Sequence, residues 1–283
     1  MSLSRTNFEY IRSLLLRESA IVLDANKGYL VQARLMPIAQ RRGLESIDQL
    51  IGQLQKQTNG RLVEEVVDAM TTNETSFFRD MTPFDELRQV VLPELFRRRA
   101  STRRLSIWCA ACSTGQEPYS ITMLLREYFS AYLDWDIYIL GTDISSTALE
   151  QAKKGRYGEL EMDRGLSRTH RGKYFRKEGS QWRISDECRS MVDFRSLNLV
   201  GNWPAFPQMD VILLRNVMVY FEQNTKKTVL HRMRKQMRPD GYMFLGGAET
   251  TMNIDDAFAR VQCGGFSYYR VRQDRQDTSE SIV

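Results

Sequence analysis

The stretch Leu105 to Ser120, LSIWCAACSTGQEPYS, decides the fold of this 283-residue chain. Its first half is apolar and carries Ile107 and Trp108, the pattern of a buried strand. Its second half breaks into Ser113-Thr114-Gly115 and then Glu117-Pro118. Proline is tolerated in the first turn of a helix, where its missing N–H has no intrahelical partner. Beyond it Ile121, Leu124, Leu125, Tyr128 and Phe129 recur at helical spacing. Strand, small-residue loop and helix thus follow one another. In an α/β protein such a loop lies at the carboxyl end of a strand, where ligands bind.

The loop has a single glycine in S-T-G-x-E-P and not the G-x-G-x-x-G of a dinucleotide site. A pyrophosphate asks for close backbone approach and a helix N-terminus. One glycine and an acidic Glu117 suit instead a ligand without phosphate and with positive charge, properties that S-adenosylmethionine combines. An ordinary βα turn is the competing reading.

Composition narrows the field. The 42% hydrophobic content supports a real core, and the net charge of +5 with a pI of about 9.0 fits an acidic partner surface. Lysine and arginine are spread along the chain, which argues against nucleic acid. Met1 to Tyr10 is too polar for a signal peptide, and the apolar run from Met209 to Phe221 is interrupted by Arg215. A cytoplasmic protein that does not insert into membranes is expected. Cys109 and Cys112 form a lone C-x-x-C, while Cys188, Cys263, His170 and His231 are isolated. No metal site is expected from that spacing, and buried small thiols are the simpler reading of the pair.

Before the decisive stretch, residues 1–70 read as helices only. Phe8, Ile11, Leu14 and Leu15 make one stripe. Ile47, Leu50, Ile51 and Leu54, capped by Ser46, make a second, and Leu62, Val63, Val66, Val67 and Met70 a third. Lys27 to Arg42 holds Lys27, Arg34, Arg41 and Arg42 with no acidic residue. On one helix Lys27, Arg34 and Arg41 would line up as a basic stripe, which Pro37 should kink or break. A solvated helix face is the alternative. Thr71 to Asp80, TTNETSFFRD, is aperiodic, and its Phe77-Phe78 pair reads as a latch between domains. Residues 84–96 read as another amphipathic helix, and Arg97 to Arg104 as a solvated connection.

After it the α/β rhythm continues. Ile137 to Leu140 is a strand ending at Gly141-Thr142-Asp143, with Ser145 or Ser146 capping a helix that stops near Gly155. Asp143 at that strand end is placed to accept hydrogen bonds from ribose hydroxyls, with a surface turn aspartate as the alternative. Residues 173–185 interrupt the rhythm with a hairpin around Glu178-Gly179-Ser180. Asp193 to Leu199 returns to the sheet, and Asp210 to Leu214 is a further buried strand ending in Arg215-Asn216. A helix after Gln223 stops at Pro239-Asp240-Gly241, and Tyr242–Leu245 and Phe266–Val271 are the last strands. Arg272 to Val283 is polar and expected to be disordered.

Four motifs, N-E-T-S-F-F-R-D, A-x-S-T-G-x-E-P-Y-S, G-T-D-I-S and R-N-V-M-V-Y-F, stand in this order, and together they resemble the CheR family of chemotaxis-receptor glutamate methyltransferases. The resemblance spans nearly the whole chain. It implies a helical N-terminal receptor-recognition domain at 1–70 and a linker at 71–83. It further implies a Rossmann-like α/β methyltransferase domain at 84–272, with an antiparallel β-subdomain inserted at about 170–192, and a tail at 273–283. By the motifs, Asn73, Thr75 and Arg79 belong to a linker closing over S-adenosylmethionine. Glu117 and Asp143 hold its polar groups, and Asn198, Leu199, Arg215 and Asn216 complete the pocket. Arg79 and Tyr220 face the reaction centre. Because the implied receptor helices present acidic side chains, the basic Lys27, Arg34, Arg41 and Arg42 are expected to meet the receptor. Some members grip a receptor's C-terminal pentapeptide on the β-subdomain edge through a longer, Gly-rich hairpin loop. The short loop here implies docking that does not depend on it.

The implied reaction makes a glutamate methyl ester and S-adenosylhomocysteine. Two other classes remain at this stage: a methyltransferase acting on another protein, RNA or a small molecule, and a non-catalytic cofactor-binding signalling module.

Overall fold

Strand β1 (Arg104–Ala110) is buried from Leu105 onward, because it has neighbours on both edges and helices on both faces. The computed structural model describes residues 3–56, 60–263 and 266–272. The tail from 273 lies outside them. β1 lies parallel between β2 (Asp136–Asp143) and β7 (Met209–Leu214), a wholly buried strand. β6 (Val192–Ser196) extends the sheet beside β2, and β8 (Met237–Leu245) beside β7. β10 (Phe266–Val271) and β9 (Phe258–Cys263) close that side antiparallel. The order is β6-β2-β1-β7-β8-β10-β9, so the chain order reverses between β1 and β7. Ligands bind at such a switch point, beyond the carboxyl ends of the strands.

The N-terminal helical part is built from α1 (Arg5–Ser19), α2 (Gly28–Arg41), α3 (Ile47–Lys56) and α4 (Arg61–Met70). The three apolar stripes read from the sequence meet in one core with Val31, Leu35, Ile38 and Ala39 of α2. Ser46 Oγ accepts from Gln49 N at 3.2 Å, as its place before α3 suggests. Pro37 does not break α2, which runs unbroken from Gly28 to Arg41 with its apolar face packed.

The helix expected at 84–96 is three pieces: α5 (Thr82–Glu86), a π-turn at Leu87–Val91 and α6 (Leu92–Arg98). Pro93 explains the widened turn, since it lacks an N–H and its ring crowds the carbonyl four residues back. The connection after α6 is not simply solvated. Arg99 donates to Asp210 at 2.8 Å and to Asp240 at 2.6 and 2.9 Å, tying it to β7 and β8. Helices α7 (Gln116–Tyr128) and α8 (Ser146–Lys154) follow β1 and β2. Gly115, at φ 91°, allows the β1–α7 turn to pack on α8, where a Cβ would come within 2.8 Å of Ala152 Cβ.

A second sheet of order β3-β5-β4 is built from β3 (Arg156–Tyr157), β4 (Phe175–Glu178) and β5 (Gln181–Ile184). The short helices α9 (Glu159–Asp163), α10 (Arg168–Tyr174) and α11 (Asp186–Arg189) surround it. Glu178 pairs with Gln181, so the hairpin loop is Gly179-Ser180, one residue shorter than the sequence suggests. The last helix, α12 (Gln223–Gln236), ends three residues before Pro239. Pro239-Asp240-Gly241 is instead absorbed into β8, whose register against β7 shifts opposite Met209 and Val211 of that strand.

Phe77 and Phe78 do form a latch, but not to the helical domain. Phe77 is fully buried and meets Tyr157 and Phe175 edge to face, with centroids 5.0 and 5.3 Å apart. Gly165, at φ 82°, makes room for it: a Cβ there would lie 1.9 Å from the Phe77 carbonyl oxygen. The linker is therefore fastened to the β-subdomain side of the molecule. Phe77→Ala is expected to lower unfolding free energy by about 3–5 kcal/mol, the usual loss for a buried aromatic, measured by urea denaturation.

Candidate active site

The carboxyl ends of β1, β2 and β7 open onto a cavity of about 1010 Å³, counted to its open mouth. β2 and β7 each place a charged side chain at it, and the helix after β1 places a third. β7 ends before Arg215, whose side chain is only 2% exposed and pairs with Glu117 of α7 and with Asp80, each at 2.8 Å. Its Nη2 also donates to the Arg79 carbonyl oxygen at 2.7 Å. β2 ends in Asp143, whose two oxygens accept from Ser113 N at 2.7 Å and Ser145 N at 2.8 Å. Burial raises the Asp143 pKa above the ordinary carboxylate value, with the nearby charge of Asp68 adding to it, while the backbone donors of Ser145, Ser113 and Ile144 work the other way.

The rest of the wall comes from other parts of the chain. Asn73, Thr75 and Arg79 line it from the linker, where Ser113 Oγ donates to the Asn73 carbonyl at 2.9 Å and Arg79 Nη1 to the Glu74 carbonyl at 2.9 Å. Asn198 and Leu199 follow β6. Trp203 Nε1 and Arg232 fix their loop through its carbonyls. Asn216 stands at φ 58° and, with Tyr220, completes the lining. All ten cofactor-binding and catalytic candidates read from the sequence thus surround one cavity.

The four basic candidates on the helical domain do not line it, and they are not a free stripe. Arg34 donates to the carbonyls of Met70 at 2.7 Å and Thr71 at 2.8 Å, at the start of the linker. Arg41 and Arg42 share Glu65, and Lys27 pairs with Asp24 at 3.1 Å. The acidic partners lie outside the segment, so its one-sided composition hid them.

Several residues of the site had no sequence signal. Ser19 and Ile21, at the end of α1, line the cavity. There Asn198 Nδ2 donates to the Glu18 carbonyl at 2.6 Å, and Val22 N to the Tyr220 carbonyl at 2.9 Å. Glu249 accepts from the backbone of Asn216, Met218 and Gly246 at 2.7 to 2.8 Å and so holds the turn after β7. Cys109 and Cys112 are buried free thiols whose pKa values burial drives well up, so neither is an activated nucleophile. Among the described residues no cluster of three or more His, Cys, Asp or Glu is arranged to hold a metal, and no helix is long and apolar enough to cross a membrane.

The cavity fits S-adenosylmethionine by its donor set. Glu74, Glu117 and Asp143 outnumber Arg79 and Arg215 on its wall, which suits a ligand with a sulfonium and an ammonium against one carboxylate. Arg215 Nε is buried with no hydrogen-bond partner among the described residues, a spare donor beside the Glu117 pair. Asp143 keeps further lone pairs on both oxygens for a vicinal diol. Apolar Ile144, Leu197 and Val217 give the wall a surface for an adenine ring. On this fit, Asp143→Ala is expected to weaken S-adenosylhomocysteine binding by about 1–3 kcal/mol, the range for hydrogen bonds to a charged group, in titration calorimetry.

Comparison with known proteins agrees with this geometry. Residues 6–71 match the CheR methyltransferase all-alpha domain, and residues 73–266 the CheR methyltransferase SAM binding domain. Chemotaxis protein methyltransferase 1 of Pseudomonas aeruginosa is 41% identical over 276 residues, covering 96% of this chain and 100% of that protein. Chemotaxis protein methyltransferase Cher2 of Pseudomonas putida is 39% identical over the same coverage of 96% and 100%. A chemotaxis protein methyltransferase of Vibrio parahaemolyticus is 37% identical over 258 residues, covering 90% of this chain and 93% of that protein. With both domains matched in order and relatives aligned from end to end, the chain belongs to the CheR family of S-adenosylmethionine-dependent methyltransferases.

Proposed function

We propose that this chain methylates glutamate side chains on the cytoplasmic signalling helices of chemotaxis receptors, producing a methyl ester and S-adenosylhomocysteine. The observation that carries the reading is the convergence of Arg79, Arg215 and Tyr220 on one cavity whose described lining holds no histidine. A glutamate carboxylate, with an ordinary pKa of about 4.3, is ionised at neutral pH and needs no general base. S-adenosylmethionine, when bound, supplies a methyl group on a good sulfur leaving group. The protein's task is alignment, which is worth roughly 7–11 kcal/mol in favourable systems. Arg79 orients the acceptor carboxylate with its fork of donors. Its backbone is held for that role by Arg215. Tyr220 brings its ring and hydroxyl to the same cavity.

Asn73, Thr75 and Arg79 are assigned to the cofactor from the linker, Glu117, Asp143, Arg215 and Asn216 from the strand ends, and Asn198 and Leu199 from the loop after β6. Arg79→Ala and Tyr220→Phe are expected to slow single-turnover methyl transfer at least tenfold, about 1.4 kcal/mol on the barrier, and to weaken S-adenosylhomocysteine binding by less than that factor. Wild-type transfer rates in both variants would contradict the assignment.

Receptor recognition is assigned to the helical domain, in the cytoplasm. Lys27 and Arg41 are its outer charges, with 43% and 63% of their side chains exposed. Arg42 shares Glu65, and Arg34 contributes its charge while bracing the linker start. Attraction to an acidic receptor helix speeds encounter and fades beyond a Debye length of about 8 Å at physiological salt. Lys27→Glu with Arg41→Glu should therefore slow receptor methylation severalfold at low salt, less at high salt, with cofactor binding intact. The two-residue hairpin turn favours docking without a receptor C-terminal pentapeptide, so removing the last five receptor residues should leave the rate unchanged. A salt series on full-length and truncated receptors checks both.

A further inference from the structure

The carboxylate of Asp68, near the C-terminal end of α4, lies outside every assignment made above. It accepts from Ser145 Oγ, from Ser146 Oγ at 2.9 Å, and from Thr147 N and Oγ1 at 3.0 and 2.9 Å. Those residues are the first turn of α8 and its cap. A carboxylate there satisfies an otherwise unpaired helix N–H and meets the positive end of the helix dipole. Burial works against the Asp68 charge, but the combined donors of residues 145–147 keep its pKa below the ordinary value. The helical domain therefore caps a helix of the α/β domain.

This cap leads to the cofactor site within one residue. Ser145 Oγ, which donates to Asp68, also accepts from Ala148 N at 3.0 Å, and Ser145 N donates to Asp143 Oδ1 at 2.8 Å. The second Asp143 oxygen is held by Ser113 N, and Ser113 Oγ by the Asn73 carbonyl. Asn73 follows α4 by three residues. A ring of bonds thus runs from α4 through the 145–147 turn to Asp143, then through Ser113 to the linker.

We propose that Asp68 is a positioning residue for the cofactor: by holding the 145–147 turn it sets the orientation of Asp143, so that the helical domain tunes cofactor affinity as well as meeting the acceptor. The inference rests on the reading of Asp143 as a cofactor-binding residue. Removing the Asp68 carboxylate leaves the Ser145 hydroxyl and the Thr147 N–H without their acceptor and frees the turn to shift.

The test is a double-mutant cycle on the full chain, with S-adenosylhomocysteine affinity measured by calorimetry and methyl transfer at saturating cofactor. Asp68→Ala should weaken S-adenosylhomocysteine about tenfold, a 1.4 kcal/mol change, and leave kcat within twofold. If Asp68 acts through Asp143, the Asp68→Ala/Asp143→Ala pair should bind no more weakly than Asp143→Ala alone, since coupled sites are not additive. Additive losses would overturn the proposal, as would an Asp68→Ala protein with wild-type affinity while Asp143→Ala binds poorly. If Asp143→Ala itself retains wild-type affinity, the reading of Asp143 fails first. Should Asp68→Ala fail to fold, Thr147→Val, which removes one donor to the same carboxylate, supplies the cycle and is expected to lose affinity in the same coupled manner.

Discussion

A guanidinium buried at the end of the central strand sets the terms for the rest of this site. Arg215 is removed from water, and a charge so placed is tolerated only when partners replace its hydration. Those partners come from three places: Glu117 on the helix after β1, Asp80 on the linker, and the carbonyl of Arg79. Satisfying Arg215 therefore brings the linker down over the strand ends. The linker pays locally in backbone strain, for Phe78, Asp80 and Met81 all have positive φ. The buried Phe77 and Phe78 rings hold it against the β-subdomain side despite that.

The helical domain completes the enclosure. Its first helix ends in a left-handed Ala20, and the residues after it run beside Tyr220 through the Val22 bond. Its fourth helix grips the start of α8 through Asp68. Neither contact belongs to the sheet, yet both reach residues that line the cavity or stand next to them. The two parts are thus mechanically joined at the place where chemistry occurs, and a site assembled this way changes when either part moves.

Much of this was legible in the sequence because it rests on period and punctuation. The run from Leu105 to Ser120 gives strand, turn and helix, and the α/β class with a helical N-terminal part follows from the stripes on either side. The candidate residues around Arg215 and Asp143 were legible because motifs mark strand ends. What escaped were contacts between distant segments. Nothing local says that Glu65 neutralises Arg41 and Arg42, that Glu249 holds the turn at Asn216, or that Arg99 reaches Asp210 and Asp240. The edge strand β9 was missed although Ala259, Val261 and Cys263 alternate with the exposed Arg260 and Gln262, because five alternating residues make a short signal. The π-turn before Pro93 was hidden by a spacing that a plain helix also satisfies.

The chemistry assigned to the cavity asks for alignment and for no acid or base, and its product is distinctive. A carboxyl methyl ester is cleaved by mild alkali to methanol, whereas methyl groups on amines or nucleobases are not. The most direct measurement uses methyl-labelled S-adenosylmethionine, membranes bearing the chemotaxis receptors and this protein, with alkali-released volatile methanol counted from the receptor band. The account predicts label on the receptor that is released quantitatively by alkali and lost when glutamates of the signalling helices are replaced by alanine. Label that resists alkali, or that appears on another molecule while the receptor stays unlabelled, would contradict it.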